Sequence, residues 1–265
     1  MRIPVCVAVA GLFAGAALAA ETGISPIGAR SREEIVSFFT DNMFGRRPET
    51  AVRPSYLAFE KASDDRAMDD GRMIRKQGKV VYAGPYGMDS FVVTAFLPAD
   101  AKGPVPAFLL VCNRDPAANV DPERKLRTEF FPVEEITWRG YAAIAFWNGD
   151  LAPDDRNPIF EEGVYTLYAA ERSEDSWGAL SAWAWGASRV MDWIETEPLL
   201  DAAHIAVVGH SRGGKTALVA GVTDKRFAMA CANDSGTSGA KLNHIDLPKS
   251  ETMASIIHHF PHWFS

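Results

Sequence analysis

The sequence predicts an α/β fold, a three-layer αβα sandwich in which helices cover both faces of a mostly parallel central sheet. Two runs, Ala107 to Cys112 and Tyr141 to Trp147, are apolar almost throughout, as expected of interior strands buried on both faces. A third run, His204 to Val208, is separated from them by a long helical pattern. The resulting order of strand, helix, strand, helix and strand favours parallel neighbours joined by crossovers. The 265 residues are ample for one large core, and a single domain is expected over 21–265.

Residues 1–20 are set apart as a signal peptide. Arg2 supplies a positive end, Val5 to Leu18 are nearly all apolar, and Ala17-Leu18-Ala19 fits a small-residue cleavage site. The apolar stretch is short for a membrane span and no basic flank follows it, so a secreted or periplasmic protein without a membrane anchor is expected. Cys6 leaves with this segment, and Cys112 and Cys231 remain. Export would allow them to pair, yet both lie in apolar strand-like runs that suit buried free thiols equally well.

Along the remaining chain, Ser31 with Glu34 makes a capping box, and Ile35, Phe38 and Phe39 supply an apolar face for a short first helix. Val80 to Ala83 and Phe91 to Leu97 read as early strands, related as a hairpin at the sheet edge. Gly103-Pro104 leads into the strand at 107, and Trp138-Arg139-Gly140 turns the chain into the strand at 141. From Ser176, the residues Leu180, Trp183, Ala187, Val190, Met191 and Ile194 recur at helical spacing on one face, which should pack on the sheet. That pattern stops near Glu197-Pro198. A helix over 212–221 and a strand from Phe227 to Ala232 complete the series. The polar, breaker-rich stretches 62–78, 113–126 and 150–158 read as surface loops.

Composition narrows the function. Asp and Glu number 34 against 27 Lys and Arg, a formal charge of −7, and no basic run stands out, so nucleic acid is excluded as an expected partner. Asp115, Asp121 and the scattered histidines show no ligand spacing, and neither a metal nor an organic cofactor is expected. Oligomeric state is not encoded in any recognisable feature.

Gly209-His210-Ser211-Arg212-Gly213 is a Gly-x-Ser-x-Gly pattern between an apolar strand and a helix. At such a turn the serine is held in a strained backbone conformation, and the flanking glycines admit close approach of neighbouring backbone. Its hydroxyl faces the carboxyl end of the sheet, where the first helical N–H groups and the positive dipole end can stabilise an anion. The Arg212 N–H is the natural first donor to an oxyanion. The same stretch, read to Gly214-Lys215-Thr216, also satisfies Gly-x-x-x-x-Gly-Lys-Thr, a phosphate-binding loop, with Asp234 imitating its magnesium ligand. An exported protein meets little nucleoside triphosphate, which disfavours that reading.

A serine nucleophile needs a base and an acid to orient it. Asp234, just past the strand that follows the elbow helix, should emerge at the same sheet edge as Ser211 and is the candidate acid; capping of a turn beside Asn233 and Ser235-Gly236 is the competing role. No histidine stands out as the base. His210 should point away from its neighbour, His204 opens a strand, and His244, His258, His259 and His262 are expected in surface or turn roles.

Gly209-His210-Ser211-Arg212-Gly213-Gly214-Lys215, Asn233-Asp234-Ser235-Gly236, Ser250-Glu251-Thr252 and Phe260-Pro261-His262-Trp263-Phe264 together resemble the bacterial branch of the glucuronoyl esterases. The stretches Ser176-Trp177-Gly178 and Trp183-Ala184-Trp185-Gly186, with Gly149-Asp150, resemble the same family, from about residue 80 onward. The resemblance implies an α/β-hydrolase that cleaves esters between 4-O-methyl-glucuronate on xylan and lignin alcohols. It implies Ser211 as nucleophile, Asp234 as triad acid, Arg212 as oxyanion support, and Lys215 and Glu251 as partners of the sugar hydroxyls. An acidic sugar partner would then meet local basic groups despite the acidic net charge.

The chain also departs from the family pattern. Residues 241–250 lack the usual arginine-rich run and are about two residues longer, and family members continue beyond Phe-Pro-His-Trp-Phe through further strands to a substrate-contacting tryptophan and the catalytic histidine. The resemblance therefore implies an incomplete domain with an open sheet edge. Another exported carbohydrate esterase such as a deacetylase, a peptidase of the same fold, and a noncatalytic fragment are the competing readings.

Overall fold

Residues 30–51, 56–62, 65–156, 160–242 and 250–265 are described by the computed structural model; the signal segment expected at 1–20 and His244 lie outside them. Alternation along the interior strands sets the layers, because successive side chains point to opposite faces. In strand β5 (Val105–Cys112), Leu109 and Val111 enter one core, while Leu110 and Cys112 enter a second core with Phe131 and Val133. Both faces of the sheet are thus covered, as the apolar runs predict.

The other strands are β1 (Tyr56–Lys61), β2 (Arg66–Met68), β3 (Met73–Gly84), β4 (Gly87–Pro98), β6 (Ala142–Trp147), β7 (Leu200–His210) and β8 (Met229–Asn233). Their order is β1-β3-β4-β6-β5-β7-β8, with β2 beside β3. The four strands β6-β5-β7-β8 are parallel, and those before them are antiparallel. The sheet is therefore mixed, parallel in the half that carries the serine elbow. The hairpin β3–β4 is longer at both ends than the apolar runs suggest, and part of the stretch 62–78, expected as loop, is strand. Those added segments carry charged side chains such as Arg75 and Lys76, which are buried through ion pairs to Glu123 and to Asp65 and Glu197.

The helices are α1 (Arg32–Phe39), α2 (Pro116–Asn119), α3 (Val133–Trp138), α4 (Ala179–Ile194), α5 (Arg212–Thr223) and α6 (Met253–His259). No described helix is long and apolar enough to cross a membrane. The Ser31–Glu34 capping box forms as expected, but α1 buries no residue, and Phe38 and Phe39 remain exposed. Cys112 and Cys231 are not joined in a disulfide. Burial of Cys112 pushes its thiol pKa up to about 11, so it stays protonated and unreactive at neutral pH.

Helix α4 departs from the one-faced pattern. Every residue of it except Asp192 is buried, because the sheet, α5 and the segment around 261–263 close over it from several sides. Trp177, Trp183 and Trp185 are among the largest fully buried side chains, and Trp183 Nε1 donates to the Ala152 carbonyl at 2.9 Å. This bond, with Leu151 and Ala152 fully buried, draws part of the expected loop 150–158 into the core. Asp192, the exception, receives Arg226 Nη1 at 2.7 Å; the same guanidinium bonds Glu195 and Asp224 and so ties α4 to the end of α5.

Three chain segments meet at the start of α4. Gly178 N–H donates to the Phe44 carbonyl at 3.1 Å, and Ser265 N–H donates to the Met43 carbonyl at 3.1 Å. A Cβ at Gly178 would press on the carbonyl oxygens of Trp263 and Phe264, which are backbone and have little room to yield. Gly178→Ala is therefore expected to cost about 1–3 kcal/mol and to lower the melting temperature by roughly 3–10 °C, measured by thermal denaturation.

Candidate active site

Strand β7 ends at His210 and α5 begins at Arg212, so Ser211 alone carries the chain from one to the other. Its backbone sits at φ 54° and ψ −120°, a region strained for a residue with a side chain. Ser211 N–H donates to the Asn233 carbonyl at 2.9 Å, and its own carbonyl accepts from Lys215 N–H at 3.0 Å. A Cβ at Gly209 would collide with the Gly213 carbonyl, and one at Gly214 would stand 2.9 Å from the Asn233 oxygen; these glycines permit the turn. The N–H groups of the first turn of α5 have no intrahelical partner, and Arg212 supplies the first of them. No extended loop separates strand from helix, so the phosphate-loop geometry that the sequence also allowed is not formed.

Asp234 follows β8 as Ser211 follows β7, and His210 pairs with Asn233 in the ladder between them. Asp234 is exposed, with a positive φ of 46° that aspartate tolerates better than most residues. The His210 ring turns toward Asn233, with Nδ1 3.2 Å from Nδ2.

Lys215, one turn into α5, is buried, and its Nζ donates to the Ser235 carbonyl at 2.7 Å. Glu251 Oε2 lies 3.9 Å from Nζ and half of that side chain is exposed. Burial lowers the Lys215 pKa, with Arg212 adding to the effect and the Glu251 and Asp234 charges opposing it. The longer 241–250 stretch thus does not prevent Glu251 from reaching this lysine. Thr237 Oγ1 fixes the Glu251 backbone, donating to its carbonyl at 2.8 Å.

Asp154 is the central residue that sequence reasoning missed. One oxygen accepts from Arg212 Nη1, and the other accepts from Trp263 Nε1 at 2.8 Å and pairs with His262 Nε2 at 3.0 Å. Arg212 is also stacked over Phe260 and Trp263, its guanidinium 5.4 and 5.2 Å from their ring centroids. His262, expected in a surface or turn role, lies in the short turn Pro261–Trp263 but is buried by these contacts; its Nδ1 and Arg212 Nε lack partners among the described residues. His258 and His259 do lie exposed at the end of α6, and His204 pairs with Asp201 at 2.7 Å. No described histidine is hydrogen-bonded to Ser211. The Phe-Pro-His-Trp-Phe string was the only signal pointing here, and nothing local marks Asp154 as its partner.

Beyond Asp154 lies a cleft of about 470 Å³, lined by Asn113, Arg114, Trp147, Asn148 and Asp155 as well, over the carboxyl ends of β5 and β6. The elbow, the two cations and this cleft therefore share one edge of the sheet. Among the described residues no cluster of side chains could hold a metal ion.

A strained serine between a parallel strand and a helix defines the α/β-hydrolase class. The family model described as "Glucuronyl esterase, fungi" matches residues 88–264. The chain belongs to this glucuronoyl esterase family. It is 31% identical to a carbohydrate esterase of an unknown prokaryotic organism, over 89% of this chain and 60% of that protein. The glucuronoyl esterase from Solibacter usitatus superposes with a TM-score of 0.77 at 28% identity, over 92% of this chain and 69% of the other. The 4-O-methyl-glucuronoyl methylesterase of Hypocrea jecorina is 38% identical over 48% of this chain and 28% of its own length. The chain thus spans about three fifths, or less, of the curated relatives it matches.

Burial alone would raise the Asp154 carboxyl, but hydrogen bonds from His262, Trp263 and Arg212 outweigh it and hold the pKa below the ordinary aspartate value. A depressed carboxyl contributes stability above the unfolded pKa of about 3.9 and loses it as pH falls through the folded value. Asp154→Asn should therefore cost roughly 1.5–3 kcal/mol near pH 7. The gap to wild type should close as pH falls below about 4, measured by denaturant unfolding across pH.

Proposed function

We propose that this chain carries the serine-elbow and uronate-binding part of an esterase that cleaves glucuronoyl esters linking glucuronate-bearing xylan to lignin alcohols. The observation that carries the reading is the pair of cations on successive turns of one helix, Arg212 and Lys215, directly beyond a strained serine. A neutral acyl group bearing several hydroxyls suits such a site. Lys215 and Glu251 would hydrogen-bond the sugar, and the Arg212 N–H and guanidinium would meet the carbonyl oxygen.

The reaction is two-step acyl transfer. Ser211 Oγ attacks the C6 carbonyl, a histidine base takes its proton, and that proton passes to the departing alcohol. Water then attacks the acyl-enzyme and releases the uronate. Asp234 would orient the histidine from the end of β8, and donors at the start of α5 would face the oxyanion in both steps. Residues 1–20 would direct export, and this is tested by the intact mass of the exported protein.

Binding and turnover are tested separately. Saturable binding of methyl glucuronate is expected, weakened about ten-fold or more by Lys215→Met through the loss of a charge-assisted hydrogen bond. Ester hydrolysis, assayed with this chain or a longer form of it, should fall on the order of 10³-fold or more in Ser211→Ala. Binding of acetylated xylan in preference to the uronate ester would favour the deacetylase reading instead.

A further inference from the structure

Hydrolysis of a uronate ester converts a neutral acyl group into an anion, because a carboxylic acid with a pKa near that of aspartate is ionised at neutral pH. A site holding Arg212 and Lys215 would therefore gain affinity for its product as the reaction proceeds. Product retention is the cost of placing two cations beside the reacting carbon.

The two cations are compensated differently. Lys215 stands 3.9 Å from a half-exposed Glu251, a partner that can swing away. Arg212 is paired with Asp154, whose carboxylate is only 20% exposed. Asp154 cannot rotate out of the pair without abandoning the Trp263 bond at 2.8 Å and the His262 contact at 3.0 Å. The guanidinium is also confined from the other side by the Phe260 and Trp263 rings. Asp154 is thus a fixed negative charge held against the cation nearest the elbow, and it lines the adjoining cleft.

We propose that Asp154 is a charge-compensating and positioning residue that makes the site favour the neutral uronate ester over the uronate anion. Arg212 keeps its directional N–H groups for the carbonyl oxygen, while its net charge is cancelled by a carboxylate that does not touch the substrate. The inference rests on the uronate reading of the site.

The test compares two ligands that differ in one charge, methyl D-glucuronate and D-glucuronate, by calorimetry at low salt. A Ser211→Ala background keeps the ester intact. With Asp154 present, the anion should bind no more tightly than the ester. In Ser211→Ala/Asp154→Asn the anion should tighten on the order of ten-fold relative to the ester, since an uncompensated charge acts on the anion alone. Adding Arg212→Gln removes the charge that Asp154 balanced and should return the ratio to its starting value. If the Asp154 variant alone does not fold, the salt dependence of the Ser211→Ala protein decides: the anion-to-ester ratio should stay flat as salt rises, and a steep fall would show an uncompensated Arg212 charge and overturn the proposal. A parallel change in both affinities, with the ratio unmoved, would mean that Asp154 is only structural and would overturn the proposal while leaving the uronate site intact. Failure of both ligands to bind the Ser211→Ala protein would instead overturn the uronate reading, and the proposal with it.

Discussion

Ser211 carries a parallel strand into a helix with no loop between them, and its backbone takes up the whole change of direction at φ 54°. That strain persists only because the surroundings over-determine it: the Asn233 carbonyl holds the Ser211 N–H, and Gly209 and Gly213 nearly touch. The same geometry aims the first N–H groups of α5 along the edge where the hydroxyl emerges. It also fixes where Arg212 and Lys215 project, since each is counted from the first residue of the helix. Position of the serine hydroxyl, the N–H donors and the cations is one constraint expressed three times.

Long-range contacts then decide what those side chains meet. Lys215 is buried under Ser235 and Trp263, and Arg212 is clamped between Asp154 and two aromatic rings. Asp154 draws the segment after β6, the start of α5 and the segment 260–263 together. The buried indole of Trp183, hydrogen-bonded to Ala152, holds the first of these in place from below. A polar hub of this kind keeps its geometry because breaking one bond leaves a buried charge incompletely paired.

Legibility in the sequence followed the range of the interactions. The strands β5 and β6 announced themselves because burial on both faces needs an unbroken apolar run. The edge strands β1 and β2 did not, since they are largely exposed and carry charges such as Glu60, Lys61 and Arg66. Helix α4 showed its periodicity, but small residues such as Ala182 and Ala184 gave no sign that its other faces are enclosed too. The burial of His262 gave no sign in the sequence because the carboxylate that buries it is 108 positions away.

The sequence alone determined the elbow, the pair of cations following it and the place of Asp234 at the end of the next strand. Each is set by local backbone rules: a glycine-flanked turn, a helical repeat and the carboxyl end of a strand. Only the tertiary structure decided that Arg212 is neutralised and Lys215 is not to the same degree. The reason is that Asp154 lies 58 residues from Arg212, in a segment whose composition reads as loop, and no periodicity links residues joined solely by packing.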